Sequence, residues 1–172
     1  MSMEDRVTNP NLRLRLIAMA KTDQEMRNNA IHNKEAWDQA LDEKHAKALR
    51  RIVTQYGWPT IPMVGSEASS DAWLIAQHAD HDLSFQKECL ALLKNVPAGE
   101  VALDNIAYLE DRVLTAERKP QLYGTQFQGM GVNLKPQPIE DGMHVDERRK
   151  QMGLGSLEEY TKLMLEAYGN AS

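Results

Sequence analysis

Between Trp73 and His81 the chain reads Trp-Leu-Ile-Ala-Gln-His-Ala-Asp-His, so an amide, two imidazoles and a carboxylate follow four apolar residues. At helical spacing Trp73, Gln77 and Asp80 share one face, and Leu74, His78 and His81 share the adjacent one. A histidine in that company suits general acid–base work, because a nearby carboxylate fixes its tautomer and tunes its proton affinity near neutrality. The competing reading is a hydrogen-bonded core histidine with no chemistry. His78-x-x-His81 also offers two metal ligands, which Asp80, Asp104 or His144 could complete.

A second constellation is richer. Asp104, Tyr108, Asp111 and Arg112 stand at i, i+4, i+7 and i+8, beside an apolar stripe through Ile106, Leu109 and Val113, with Asn105 one turn before Tyr108. Surface salt bridges have the same spacing. Gln121, Tyr123, Thr125 and Gln126 then follow in an irregular stretch that could fold donors and acceptors over this face. A third stripe, Leu16, Ala20, Asp23 and Arg27, begins apolar and ends charged. It is either the solvated end of a helix or an arginine poised over a pocket, since buried charge requires a partner.

These residues imply a division of labour. His78 is the expected general base or acid, oriented by Asp80 or Asp111. Arg27 and Arg112 would hold a carboxylate or phosphate with guanidinium forks. Tyr108 joins the catalytic group, while Gln77, Asp104, Asn105, Gln121, Tyr123 and Gln126 line the substrate.

Composition narrows the field. The chain has 172 residues, 42% hydrophobic and 26% charged, as in one soluble globular domain of ordinary size. A net charge of −5 argues against a dedicated nucleic-acid binder. Residues 1–60 carry ten Lys/Arg and eight Asp/Glu, against ten and seventeen in 61–172, a mild asymmetry that suits two solvated surfaces. One cysteine, Cys89, excludes an internal disulfide and any multi-cysteine metal site, and its neighbours Phe85, Leu90, Leu92 and Leu93 predict a buried thiol. No leader and no run of 18 apolar residues is present, so a cytoplasmic location without membrane association is expected. No Gly-rich phosphate loop precedes a helix, and no Gly-x-Ser-x-Gly elbow occurs.

The elements that must position these groups are helices. After a loose lead-in over 1–9, Thr8-Asn9-Pro10 starts a helix running to about Asn28. A second spans about Glu35–Tyr56, with Trp37, Ala40, Leu41, Leu49, Ile52 and Val53 inward and Gly57 as its stop. Two prolines make Gly57–Gly65 an ordered loop that shelters Trp58. Ser66 caps a helix to about Ala79, and others cover Ser84–Asn95 and about Glu100–Arg118, the latter with Ala102 at the head of its stripe. Lys119–Ile139, with three prolines and three glycines, reads as a hairpin or ordered loop that packs across the Asp104–Arg112 face. Helices over about Asp141–Met152 and from a Ser156–Glu159 capping box to Gly169 close the chain. The expectation is an all-α single domain over 1–172, with about seven helices and a small hairpin near 121–138.

Several of these stretches also carry a resemblance. Asp23-Gln24-x-x-Arg27, Gly57-Trp58-Pro59, Trp73-Leu74-x-x-Gln77-His78-x-Asp80, Ala107-Tyr108-Leu109-x-Asp111-Arg112, Gln121-x-Tyr123-Gly124-Thr125-Gln126 and Arg148-Arg149 resemble the motifs of an uncharacterised bacterial family of unknown function. The resemblance covers most of the chain after about residue 11. It implies where a site lies and lends no chemistry to it.

The functional expectation is a non-redox enzyme without a cofactor, using acid–base catalysis on a polar, anionic, amino-acid-like small molecule, as a hydrolase, lyase or cyclase in a biosynthetic pathway. Two alternatives stand beside it. One is a metal-dependent enzyme with His78 and His81 as ligands. The other is a non-catalytic ligand-sensing or protein-binding module that presents Gln121–Gln126 and Trp58.

Overall fold

The computed structural model describes residues 7–33 and 36–169, and these form eight α-helices and one two-stranded antiparallel hairpin. The all-α expectation holds. The chain divides into two compact units, Met1–Ala102 and Leu103–Ser172.

The first unit holds α1 (Pro10–His32), α2 (Gln39–Tyr56), the single turn α3 (Ile61–Val64), α4 (Ser66–Gln77) and α5 (Leu83–Lys94). Asn9 caps α1 by accepting the Leu12 N–H at 3.1 Å, with Pro10 in the first turn where its missing donor costs nothing. Leu12, Leu16, Met19, Ala20 and Asp23 form its buried stripe, so the apolar row ends in a buried carboxylate. The helix runs to His32, one turn past the predicted end. Of the predicted lead-in, residues 1–6 lie outside the described residues, while Thr8 and Asn9 are pinned by the carbonyls of Pro62 and Met63.

α2 starts later than predicted, capped by Asp38; the predicted start at Glu35 lies outside the described residues. Trp37 therefore precedes the helix rather than lining it and is 50% exposed, and Ala40 is exposed too. Ala46, Leu49, Ile52 and Val53 supply the inner face, and Gly57 ends the helix at φ 73°. Trp58 is buried, which removes it from any recognition surface. The N-cap of α4 is Gly65 rather than Ser66, at φ 84°, where a side chain would be strained and would displace the Arg13 guanidinium. α4 packs along α1, and Ala68, Ala72, Ile75 and Ala76 are among its buried residues. α5 is capped by Asp82, which accepts the Phe85 N–H at 2.9 Å. Its Cys89 is fully buried, and burial pushes the thiol's pKa up.

The second unit holds α6 (Leu103–Ala116), the hairpin β1 (Phe127–Gln128) and β2 (Lys135–Pro136), α7 (Val145–Gln151) and α8 (Leu157–Tyr168). α6 is shorter than predicted at both ends, and Ala102 lies outside it. Phe127 pairs with Pro136 in the expected small hairpin, and an isolated parallel bridge joins Gln121 to Ile139. A 3₁₀ turn occupies 142–144 where α7 was predicted to start. Ser156 and Glu159 form the predicted capping box. No helix among the described residues is long and apolar enough to cross a membrane.

Candidate functional site

The buried carboxylate at the end of the α1 stripe organises the first unit. Asp23 is 1% exposed, and Arg27, one turn on, grips both its oxygens through Nε and Nη2 at 3.1–3.2 Å. Gln24 Nε2 donates to Oδ2 at 2.9 Å, and His78 Nδ1 meets the same oxygen at 2.9 Å. Burial works to raise this carboxyl's pKa, but the hydrogen bonds and charges of His78 and Arg27 outweigh it and hold the value near about 2. Asp23 is therefore a fixed negative charge. Arg27 Nη2 also reaches Asp42 Oδ1 at 2.7 Å, and Trp37 Nε1 donates to the other oxygen of Asp42 at 3.1 Å while its ring lies 4.6 Å from the guanidinium carbon.

Behind this network sits His45, whose tautomer follows from its partner. The Thr22 hydroxyl donates to the Met19 carbonyl at 2.9 Å, so it accepts from His45 Nε2 at 3.3 Å and leaves Nδ1 bare. Burial lowers the pKa of this imidazole and keeps it neutral, and Nδ1 has no partner among the described residues.

His78 is the C-cap of α4, and the turn that follows carries Asp80 and His81. Arg27, Trp37, Gln39, Asp42, His78, Asp80 and His81 line a cavity of about 390 Å³. With Nδ1 committed to Asp23, Nε2 is the ring nitrogen left to serve a ligand. Asp80, expected to orient His78, instead accepts from Gln86 Nε2 at 3.1 Å. Gln77 is buried, with its side-chain oxygen unpartnered among the described residues. Arg27 reaches the cavity with its Nε and Nη2 engaged by Asp23 and its Nη2 also by Asp42.

In the second unit Asp111, the other expected partner of His78, is fully buried and serves a loop. Its oxygens accept the backbone N–H groups of Leu122 at 2.7 Å, Tyr123 at 3.0 Å and Thr125 at 2.9 Å, and the Thr125 hydroxyl at 2.9 Å. Gln121, also fully buried, closes the same loop: its amide donates to the Gln126 and Gln137 carbonyls and accepts from the Gln126 N–H at 2.8 Å. Arg149 points its guanidinium at the Tyr123 carbonyl, and Arg148 does the same for Leu122. A side chain at Gly124 would collide with Leu157, so α8 closes directly over the loop. Gln121, Tyr123 and Thr125 are all buried, but bends and Gly124 at φ 72° interrupt the extended alternation expected of them.

The remaining predicted residues are partly engaged. Arg112 Nη1 approaches Gln126 Oε1 at 3.4 Å, and Asp104 accepts the N–H of buried Asn105 at 2.9 Å. Tyr108 and Tyr160 meet edge to face with ring centroids 6.1 Å apart. The Tyr123 hydroxyl reaches Glu110 at 3.5 Å, and burial together with that carboxylate pushes its pKa up to about 12, which makes it a poor proton donor near neutrality. His144 sits exposed against Asp141, and no group of three or more His, Cys, Asp or Glu among the described residues is arranged to hold a metal.

Sequence reasoning thus located His78, Asp80, His81 and Arg27 around one cavity but missed Asp23 as the histidine's partner, along with Asp42, Trp37 and Gln39. The available signal was the Leu16–Arg27 stripe, where a carboxylate occupied an inward position. A family model described as a family of unknown function (DUF6624) matches residues 10–171. No curated protein and no solved structure matches the chain.

Proposed function

The chain belongs to DUF6624, a family of unknown function, and we propose from its residues that it is a non-redox enzyme working by acid–base catalysis on a polar, amino-acid-like small molecule. One observation carries this reading: the 2.9 Å contact of His78 Nδ1 with the ionised Asp23, on the wall of a cavity of about 390 Å³. Asp23 accepts a hydrogen bond from Nδ1–H and stays ionised, which leaves the Nε2 lone pair to take a proton from a substrate or from water. The imidazolium so formed faces a carboxylate already in place, so little reorganisation accompanies proton transfer. Arg27 keeps that carboxylate ionised and oriented. Gln39 offers a donor and an acceptor to the ligand, and Trp37 an apolar face.

Nε and Nη2 of Arg27 are engaged by Asp23 and Asp42, so an anionic substrate would meet its Nη1 edge rather than that fork. The chemistry at Nε2 suits hydrolysis, elimination or cyclisation, each of which needs a proton moved at one atom. A second reading, a non-catalytic ligand-binding module, draws support from the same network, because Asp23, Arg27 and Asp42 satisfy one another as a structural cluster would.

The test is a product-formation screen of the purified chain against amino-acid esters, amides and lactams and other small polar metabolites, run beside His78→Asn. Turnover by the natural chain, lost in a folded His78→Asn, is the expected result. Turnover that survives in His78→Asn overturns the reading, and saturable binding without turnover favours the second one.

A further inference from the structure

We propose that Gln86 is a positioning residue for His78, an inference that rests on the acid–base reading above. α4 ends at Gln77, so its last carbonyls have lost their helical donors just where the chain turns to present His78, Asp80 and His81 to the cavity. Gln86 reaches this turn from α5. Its side-chain nitrogen lies 3.1 Å from the Gln77 carbonyl, 3.4 Å from the Ala76 carbonyl and 3.1 Å from Asp80 Oδ1. One amide therefore ties the peptide before His78 to the side chain two residues after it.

The cost of placing it there is the second argument. Gln86 is 1% exposed on a face whose other buried members are Phe85, Cys89 and Leu93. Leucine or methionine would fill that volume without desolvating an amide, so a buried polar side chain belongs there only if its bonds matter. What they fix is the direction from which His78 leaves the helix. The Nδ1 contact with Asp23 joins residues 55 positions apart, and on the histidine side the backbone is held by the His78 N–H donating to the Leu74 carbonyl at 3.1 Å and by Gln86 on the carbonyl before it. A displacement of the turn by about 1 Å takes such a bond out of range.

The experiment is long-range proton–nitrogen NMR on the labelled full chain, which reads the ring tautomer of each histidine. His78 in the natural chain is expected as a single Nδ1–H tautomer with a slowly exchanging ring proton. In Gln86→Met, which keeps the volume and loses the donor, that proton signal is expected to be lost and the ring nitrogens to move toward a tautomer mixture. Leu93→Ala on the same helix supplies the control: it lowers the melting temperature and leaves the His78 signals in place, as a merely structural role for Gln86 would. Should Gln86→Met not fold, Gln86→Leu, which also lacks the donor, is read in the same way. A natural chain without the Nδ1–H tautomer sinks the acid–base reading itself. A folded Gln86 variant that keeps the single Nδ1–H state overturns the inference about Gln86 and leaves that reading standing.

Discussion

His78 Nδ1 and Asp23 Oδ2 lie 2.9 Å apart, and the aspartate is gripped from its other side by Arg27 one helical turn away. The histidine therefore meets a carboxylate whose charge and orientation are already set. Removing that charge leaves the half-buried guanidinium of Arg27 with Asp42 alone. Asp23→Asn is expected to destabilise the fold by about 3 kcal/mol, the scale for breaking a buried pair, measured by denaturant unfolding at neutral pH. A loss under about 0.5 kcal/mol, typical of a surface pair, would show that Asp23 is not the keystone of this network.

The same carboxylate sets an acid limit. Its pKa falls from 3.8 to about 2 on folding, so its contribution is fully present above pH about 4 and disappears as pH falls through about 2. A shift of that size corresponds to about 2 kcal/mol. His45 acts in the same direction at higher pH: burial lowers its folded value below 6.5, so charging it on acidification costs stability. Stability measured from pH 7 to 2 should fall in two stages. The lower stage should flatten in Asp23→Asn, and an unchanged slope there would contradict the assignment.

Arg27→Lys tests the fork. An ammonium can meet one oxygen of Asp23 or reach Asp42, but it cannot reproduce the planar three-bond grip on Asp23. A loss of about 1–2 kcal/mol is expected, together with a rise in the Asp23 pKa seen by carbon-detected NMR titration. An unmoved Asp23 would mean that His78 and Gln24 suffice.

Asp111→Asn addresses the second unit. Three backbone N–H groups and one hydroxyl converge on the two oxygens of Asp111, and an amide offers only one of those oxygens and adds two donors. The expected cost is about 2–4 kcal/mol. Hydrogen exchange should quicken first at Leu122, Tyr123 and Thr125. Uniform exchange across the unit would argue that the loop does not depend on this side chain.

The contrast between Asp23 and Asp111 shows how much of the site could be read in the chain. Apolar spacing and capping residues were enough to find α1, α5, α6 and α8, though not every end of α1 and α6, because such signals are local properties of consecutive residues. What they could not supply was the partner of each polar group. Asp23 finds His78 across 55 positions, and nothing local to either residue names the other. Asp111 binds backbone N–H groups, which every residue but proline has, so no side-chain pattern announces it. Trp37 was misplaced for a related reason: its apolar ring suited a helix interior, while its N–H was needed by Asp42 outside the helix.

The central claim is that His78 and Asp23 act as one catalytic unit, and a double-mutant comparison of turnover tests it most directly. On whichever substrate the screen returns, His78→Asn is expected to lower kcat/KM by about 10²–10⁴-fold, and Asp23→Asn to lower it by a smaller factor. The double variant should be no worse than His78→Asn alone, because Asp23 acts only through the imidazole. Losses that multiply, in variants that remain folded, would contradict the account.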